Sequence, residues 1–219
     1  HINVGLRPDL VWIKERTDTG GVAHYLGDTV RGINKNLKSN NTDSEGTNDI
    51  YGYVSSVDDK GFTVTQGSND SFYTNGNPET YVAWTWKAGG NKGIFNVNDV
   101  GYASASAAGI TDGTIALTGC SVGTRQGFSI LKYTGSGSNG TLAHGLSQAP
   151  DFFFGRDLED TGGSRDWIIY HKDVGNTARL KFTDADISTS SVFFQDTSPT
   201  NSLITVGTSN DINSTNDYI

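Results

Sequence analysis

Apolar residues in this chain come in short runs that alternate with polar positions or are cut off by turns. Residues 1–6 and 9–14 read as extended on either side of Pro8, with Leu10-Val11-Trp12-Ile13 as an inner strand and Thr17 to Gly21 as the turn that ends it. Residues 24–30 predict a further strand. The stretch 34–49, dense in Asn, Ser, Thr and Asp, predicts a surface loop with one short strand around Leu37. Residues 50–57 alternate weakly, 58–61 turn, and Phe62-Thr63-Val64-Thr65 alternates as a half-buried strand does. Along 81–87, Tyr81, Ala83 and Thr85 share one face and Val82, Trp84 and Trp86 the other. The tryptophan face is expected to be core, and Ala88-Gly89-Gly90 closes the unit.

Residues 91–125 are rich in Gly, Ala, Ser and Thr, with weak strand signals at 94–97 and 114–117 and a minor helical option at 103–108. They are too apolar for a free linker and are expected to pack on one or both flanking units. Strands are then expected at 127–133, 142–146, 152–154, 167–171, 178–182, 192–194 and 203–206, with a glycine-rich turn at 135–140.

A long internal repeat organises these elements. Asp18-Thr19-Gly20-Gly21 returns as Asp160-Thr161-Gly162-Gly163, and Pro8-Asp9 as Pro150-Asp151; 150 − 8 and 162 − 20 are both 142. Looser echoes are Leu37-Lys38 with Leu180-Lys181, Ser68-Asn69-Asp70 with Ser209-Asn210-Asp211, and Tyr81-Val82 with Tyr218-Ile219. Such a period is too long for a solenoid and predicts a duplicated unit. The expected fold is all-β: two tandem β-sandwich modules, jelly-roll or lectin-like, over 1–90 and 126–219, joined by a connector over 91–125. The chain opens on His1 inside an extended pattern and stops where the first unit's Tyr81-Val82 runs on. Both ends are therefore expected to be cut, leaving the second module without its last strand.

Composition narrows the partners. A formal net charge of −8 with no Lys/Arg-rich run is unsuited to nucleic acid. No apolar run approaches the roughly 20 residues of a membrane-spanning helix, so membrane insertion is not expected. The single cysteine, Cys120, allows no internal disulfide.

Candidate chemistry is sparse. Gly135 to Gly140 has no following helix or Lys-Ser/Thr with which to cradle phosphate, and reads as a hairpin turn. His1 and His144 occupy equivalent repeat positions and His24 and His171 roughly equivalent strands, a recurrence that suits strand packing better than metal binding. Asp58, Asp59, Asp157, Glu159, Asp160, Asp184 and Asp186 read as solvated turn residues, with loop calcium and paired-carboxylate catalysis as the lesser options. No Gly-x-Ser-x-Gly elbow accompanies the Ser, His and Asp residues. No cofactor and no catalytic residue is expected. Trp12 and Trp167 are expected in the core, whereas Tyr51, Tyr53, Phe72 and Tyr73, in or beside polar loops, are the candidates for ligand binding.

Several segments together carry a family resemblance: Pro8 to Arg16, Asp28 to Gly32, Leu37 to Asn40, Gly61 to Val64, Tyr81 to Gly90, Gly101 to Ser104, Gly127 to Ile130, Tyr133 to Gly135 and His144 to Pro150. The chain resembles the repeated modules of bacteriophage tail-fibre and virion appendage proteins of marine phage type. Phe154-Gly155-Arg156 departs from the pattern, which has an Ile-Val-Lys-like run there. The resemblance implies a non-enzymatic structural protein of the virion, expected as a homotrimer contacting other virion proteins and a host-surface glycan through loops 43–53 and 68–79. A capsid or tail decoration protein, a polysaccharide depolymerase and a bacterial surface adhesin remain the alternatives.

Overall fold

The computed structural model describes residues 1–17 and 20–219. Asp18 and Thr19, which open the first copy of the repeated motif, lie outside the described residues. The fold is all-β, with one four-residue helix among the described residues.

The first half contains β1 (Ile2–Asn3), β2 (Leu10–Glu15), β3 (Tyr25–Asp28), β4 (Lys35–Asn36), β5 (Gly46–Thr47), β6 (Tyr53–Asp58), β7 (Gly61–Thr65) and β8 (Tyr81–Trp86). β2 is the middle strand of a sheet ordered β3-β2-β8, antiparallel on both sides. Its near-continuous apolar run is what burial of both faces requires. β1-β7-β6 form a second sheet, and β6 turns into β7 because Asp58 Oδ1 accepts the amides of Lys60 (2.8 Å) and Gly61 (3.0 Å).

The second half contains β9 (Phe95–Val97), β10 (Val100–Tyr102), β11 (Leu117–Gly123), β12 (Phe128–Thr134), β13 (Gly140–Ala143), β14 (Phe152–Gly155), β15 (Ile168–His171), β16 (Ala178–Arg179), β17 (Ser188–Thr189), α1 (Ser191–Phe194), β18 (Leu203–Val206) and β19 (Asp217–Tyr218). The duplication is visible in its pairings. β14–β15 repeats β2–β3, β16–β17 repeats β4–β5, and β13–β18 repeats β1–β7. The single bridges Leu26–Leu37 and Ile169–Leu180 correspond as well. Tyr81 lies opposite Glu15 as Tyr218 lies opposite Asp157. The two tyrosine hydroxyls close equivalent loops: Tyr81 accepts the Gly76 amide (2.7 Å) and donates to the Phe72 carbonyl (2.8 Å). Tyr218 accepts the Ser214 amide (2.8 Å) and donates to the Asn210 carbonyl (2.8 Å). The second glycine of each repeated motif takes a left-handed backbone, φ 85° at Gly21 and 62° at Gly163, which a glycine adopts at little steric cost.

Some local expectations change. Residues 192–194 are helical rather than extended, because the Ser190 hydroxyl caps the Val192 amide and Gln195 closes the turn in a left-handed conformation. The loop at 34–49 holds two short strands instead of one, and the connector strand expected at 114–117 runs from Leu117 to Gly123. His1 and His144 are not equivalent. Val4 donates to the Lys60 carbonyl where His144 donates to that of Ser202, and Gly5 and Gly145 share positive φ.

Among the described residues, three apolar cores hold the chain together. Val11 and Ile13, on one face of β2, enter the first half's own core with Tyr25, Val54 and Phe62. Phe153 of β14 packs against the second half's core of Leu142, Ile168, Phe194 and Val206, to which Leu117, Cys120 and Val122 of β11 also belong. The opposite faces meet in a shared third core, where Leu10, Leu26 and Leu37 lie with Ile130, Leu158 and Trp167, and Trp12 and Phe154 pack against them. Residues 91–125 thus pack on both halves: Ser121 of β11 donates to Asp9 Oδ1 (3.1 Å) and accepts the Gly89 amide (2.9 Å). Arg156, in the segment that departs from the resembled pattern, is fully buried and donates across the junction to the Thr42 carbonyl.

Candidate functional site

Two aromatic surfaces stand out. The first is built from the expected binding residues. Tyr51 and Tyr73 meet with ring centroids 5.3 Å apart, held by the Tyr73 amide donating to the Tyr51 carbonyl (2.9 Å). Lys38 Nζ lies 5.6 Å from the centre of the Tyr73 ring and 2.7 Å from Asp43. Asp49 accepts the Tyr51 amide through one oxygen (2.9 Å) and the Asn36 side-chain amide through the other (3.2 Å). Phe72 projects outward, 43% exposed, on a segment whose carbonyl the Tyr81 hydroxyl fixes. Tyr53, half-buried, opens β6 and packs on the same core as Tyr51.

Of the four candidates beside polar loops, Tyr73 is not exposed but buried against the first core. A loop wrapped over a sheet face supplies the last layer of that face's core. Lys38 and Asp43 were not singled out from the sequence, although Leu37-Lys38 was visible as a repeat. The Asp43 carboxyl is held below its usual pKa mainly by its hydrogen bond to Lys38, against the effect of partial burial. For Lys38, burial lowers the pKa but the hydrogen bond to Asp43 prevails and leaves it raised. The patch thus offers the half-buried Tyr51 ring and the exposed Phe72 ring beside an ionised pair.

The second surface is a cavity of about 750 Å³ between the halves, lined by Leu10, Trp12, Trp86, Phe128, Ile130, Phe152 and Phe154 among others. Trp84 and Trp86, expected in the core, are 46% and 36% exposed. β8 is the edge strand of its sheet; Trp84 packs edge-on against Trp12 (5.8 Å), and Trp86 stacks on Phe128 (6.2 Å) at the open cavity. Trp12 is half-buried rather than fully core, whereas Trp167 is fully buried.

Two neutral histidines border this region. His144 Nδ1 accepts the Leu146 amide (3.1 Å), so its Nε2 carries the proton donated to the Thr200 carbonyl (3.1 Å). His24 Nδ1 accepts from Trp12 Nε1 (3.2 Å) and lies 2.8 Å from the Ser39 hydroxyl. Burial pushes both imidazoles below the usual 6.5, helped at His24 by the Lys14 ammonium. A base whose pKa is depressed on folding takes up its proton more readily in the unfolded chain. The stabilisation is therefore whole above about pH 6.5 and declines as pH falls below it. Thermal unfolding scans should show a midpoint that drops between pH 7.5 and 5, and a smaller drop in the double variant His24→Asn, His144→Gln. An unchanged slope in that variant would place the acid sensitivity elsewhere.

The buried carboxylates serve as local fasteners. Asp9 accepts the amides of Ala88 (2.7 Å) and Gly90 (3.2 Å) and the Thr29 hydroxyl (2.9 Å), and Asp28 pairs with buried Arg31. At Asp160 burial favours the neutral acid, but the amides of Arg165 and Gly162 outweigh it and hold the pKa below its usual value. Among the described residues no three His, Cys, Asp or Glu side chains stand close enough to hold a metal ion. Nor does any helix among them have the length and apolarity to cross a membrane.

No curated protein and no solved structure matches this chain. One family does, a domain of unknown function, DUF7483, whose sequence profile covers residues 1–219 and so takes in both halves and the segment between them. With both repeats and their junction inside a single match, the chain belongs to the DUF7483 family.

Proposed function

We propose that this protein is a non-enzymatic structural component of a phage virion, a tail fibre or related appendage, that presents the Tyr51–Tyr73 patch to a host-surface glycan. The observation that carries the reading is the gathering of the half-buried Tyr51 ring, packed on buried Tyr73, and the exposed Phe72 ring with the Lys38–Asp43 ion pair on one loop surface. Aromatic faces accept the apolar faces of pyranose rings, while neighbouring charged and amide groups hydrogen-bond their hydroxyls. The resemblance to phage appendage modules supplies the setting. In that setting the two halves act as tandem lectin-like sandwich modules, the fibre is a homotrimer joined to other virion proteins, and repeated weak sites gain strength by avidity.

The test is retention of the purified chain on immobilised host-surface polysaccharide, with the polymer's length followed in parallel. Phe72→Ala and Tyr51→Ala, separately, are expected to weaken retention about tenfold or more while leaving the unfolding midpoint nearly unchanged for Phe72→Ala, whose ring is outside the core. Undiminished retention in both variants would remove the patch from the reading. Shortened polymer would replace it with a depolymerase.

A further inference from the structure

The cavity between the halves has the form of a missing strand. Tyr218 of β19 is bridged on one side to Tyr133 of β12 and on the other to Asp157, just past the end of β14. Ile219 and Arg156 exchange both backbone hydrogen bonds (2.9 and 3.1 Å). At that end, therefore, β12 and the β14 segment stand one strand apart. Beyond Ile219 the two edges run on facing each other, and the residues along them line the cavity: Phe128 to Leu131 on one side, Phe152 to Gly155 on the other. β14 pairs with β15 alone, and the other side of β12 is taken by β11, so each has one bare edge toward the cavity.

Register makes the fit specific. Prolonging β19 in its observed register sets successive residues opposite Leu131 and Gly155, then Ile130 and Phe154, Ser129 and Phe153, and finally Phe128 and Phe152. The two edges end together. Antiparallel backbones direct their hydrogen-bonding groups to alternate sides. Because Arg156 bonds to Ile219, and the Gly135 amide to the Asn216 carbonyl, the groups left pointing into the cavity are those of Phe154 and Phe152 on one edge and of Leu131 and Ser129 on the other. One strand alternating its bonds between the two edges satisfies all four residues.

The first half contains the filled version of this position. β2, the counterpart of β14, is paired along all six residues with β8, whereas β19, the counterpart of β8, has two. We propose that the cavity is a β-strand acceptor site, which takes an extended segment in line with β19 and of the same side-chain character as β8. Small residues corresponding to Ala83 and Thr85 would then face Leu131 and Phe153, toward the second half's core. Large ones corresponding to Trp84 and Trp86 would join Ile130 and Phe154 in the shared core. The strand adds main-chain hydrogen bonds on both edges and covers apolar wall at once, the combination that makes strand addition a strong mode of recognition.

The test needs no change to the cavity wall. A synthetic peptide copying Tyr81–Gly89 is added to the chain, and separately the chain is prolonged past Ile219 by Ala-Trp-Thr-Trp-Lys, since Ile219 already stands at the place of Val82. Hydrogen exchange at Ser129, Leu131, Phe152 and Phe154 should slow by about a hundredfold or more in the prolonged chain, and by a smaller, saturable factor with the peptide. Fluorescence of an added apolar dye should be displaced in both cases. Substituting proline for the two residues that bond to β12 should abolish every effect, since proline lacks the N–H. Unchanged exchange at these four amides in the prolonged chain would overturn the proposal. Equal protection by the proline version would do the same and leave the cavity an ordinary apolar pocket. Neither result bears on glycan retention, because Lys38, Tyr51, Phe72 and Tyr73 do not line the cavity.

Discussion

Replacing Trp167 by alanine is expected to destabilise the protein by about 3–5 kcal/mol, the range for emptying a fully buried aromatic site. Trp167 has no exposed surface and stands at the centre of the core that the halves share. Its ring meets Phe154 and Phe182 edge-on at 5.9 and 5.4 Å, and its Nε1 donates to the carbonyls of Lys38 (3.3 Å) and Asn41 (3.1 Å) in the first half. The variant therefore loses packing and strips two carbonyls of a partner. Trp167→Phe keeps much of the ring while losing the N–H, and should fall between the two. Urea unfolding followed by circular dichroism reads the effect. A loss below about 1 kcal/mol for alanine would mean that the halves do not depend on their common core.

The second large effect is expected at Asp9. Its carboxylate is buried and accepts from the Ala88 and Gly90 amides and from the Thr29 and Ser121 hydroxyls. One side chain thereby ties the start of β2 to the end of the first half and to β11. Asp9→Ala leaves buried amides without acceptors at about 1–3 kcal/mol each, so a total near 3–5 kcal/mol is expected, and Asp9→Asn should recover part of it. Ser121→Ala removes one of the four donors to Asp9 and leaves the buried Gly89 amide without its hydroxyl acceptor, and should cost about 1–3 kcal/mol. A double-mutant cycle between Asp9 and Ser121 should show a coupling of about 0.5 kcal/mol or more. Strict additivity would indicate that β11 is held by its apolar side chains alone.

The same two residues mark the limit of what could be read in advance. Trp167 was expected in the core because it stands in an apolar run of β-formers. That it would bond to the loop around Lys38, some 130 residues away, has no local signature. Asp9 was legible only as half of the repeated Pro-Asp pair. Its partner Asp151 is exposed and bonds to Lys172, so the shared motif marked a shared place in the fold and not a shared task.

The candidate patch was half legible. Loop position drew attention to Tyr51, Tyr53, Phe72 and Tyr73, but which rings face water depended on how the loop lies over β6 and β7. Lys38 reaches Tyr73 only because the Leu26–Leu37 bridge fixes the neighbouring backbone. The exposed Trp84 and Trp86 were misjudged for a related reason. Alternation assigns side chains to faces, and a face is buried only if another layer covers it.

What the sequence determined by itself is the all-β character, the duplication, the position of most strands and the turns between them. All of these follow from properties carried within a few residues or from direct comparison of one stretch with another. Only the tertiary structure decided which strand edges are paired, which aromatic faces are covered, and that β2 and β14 each serve two cores at once. Those outcomes depend on contacts between residues far apart in the chain, whose energies come from mutual burial and from hydrogen bonds that no single segment contains.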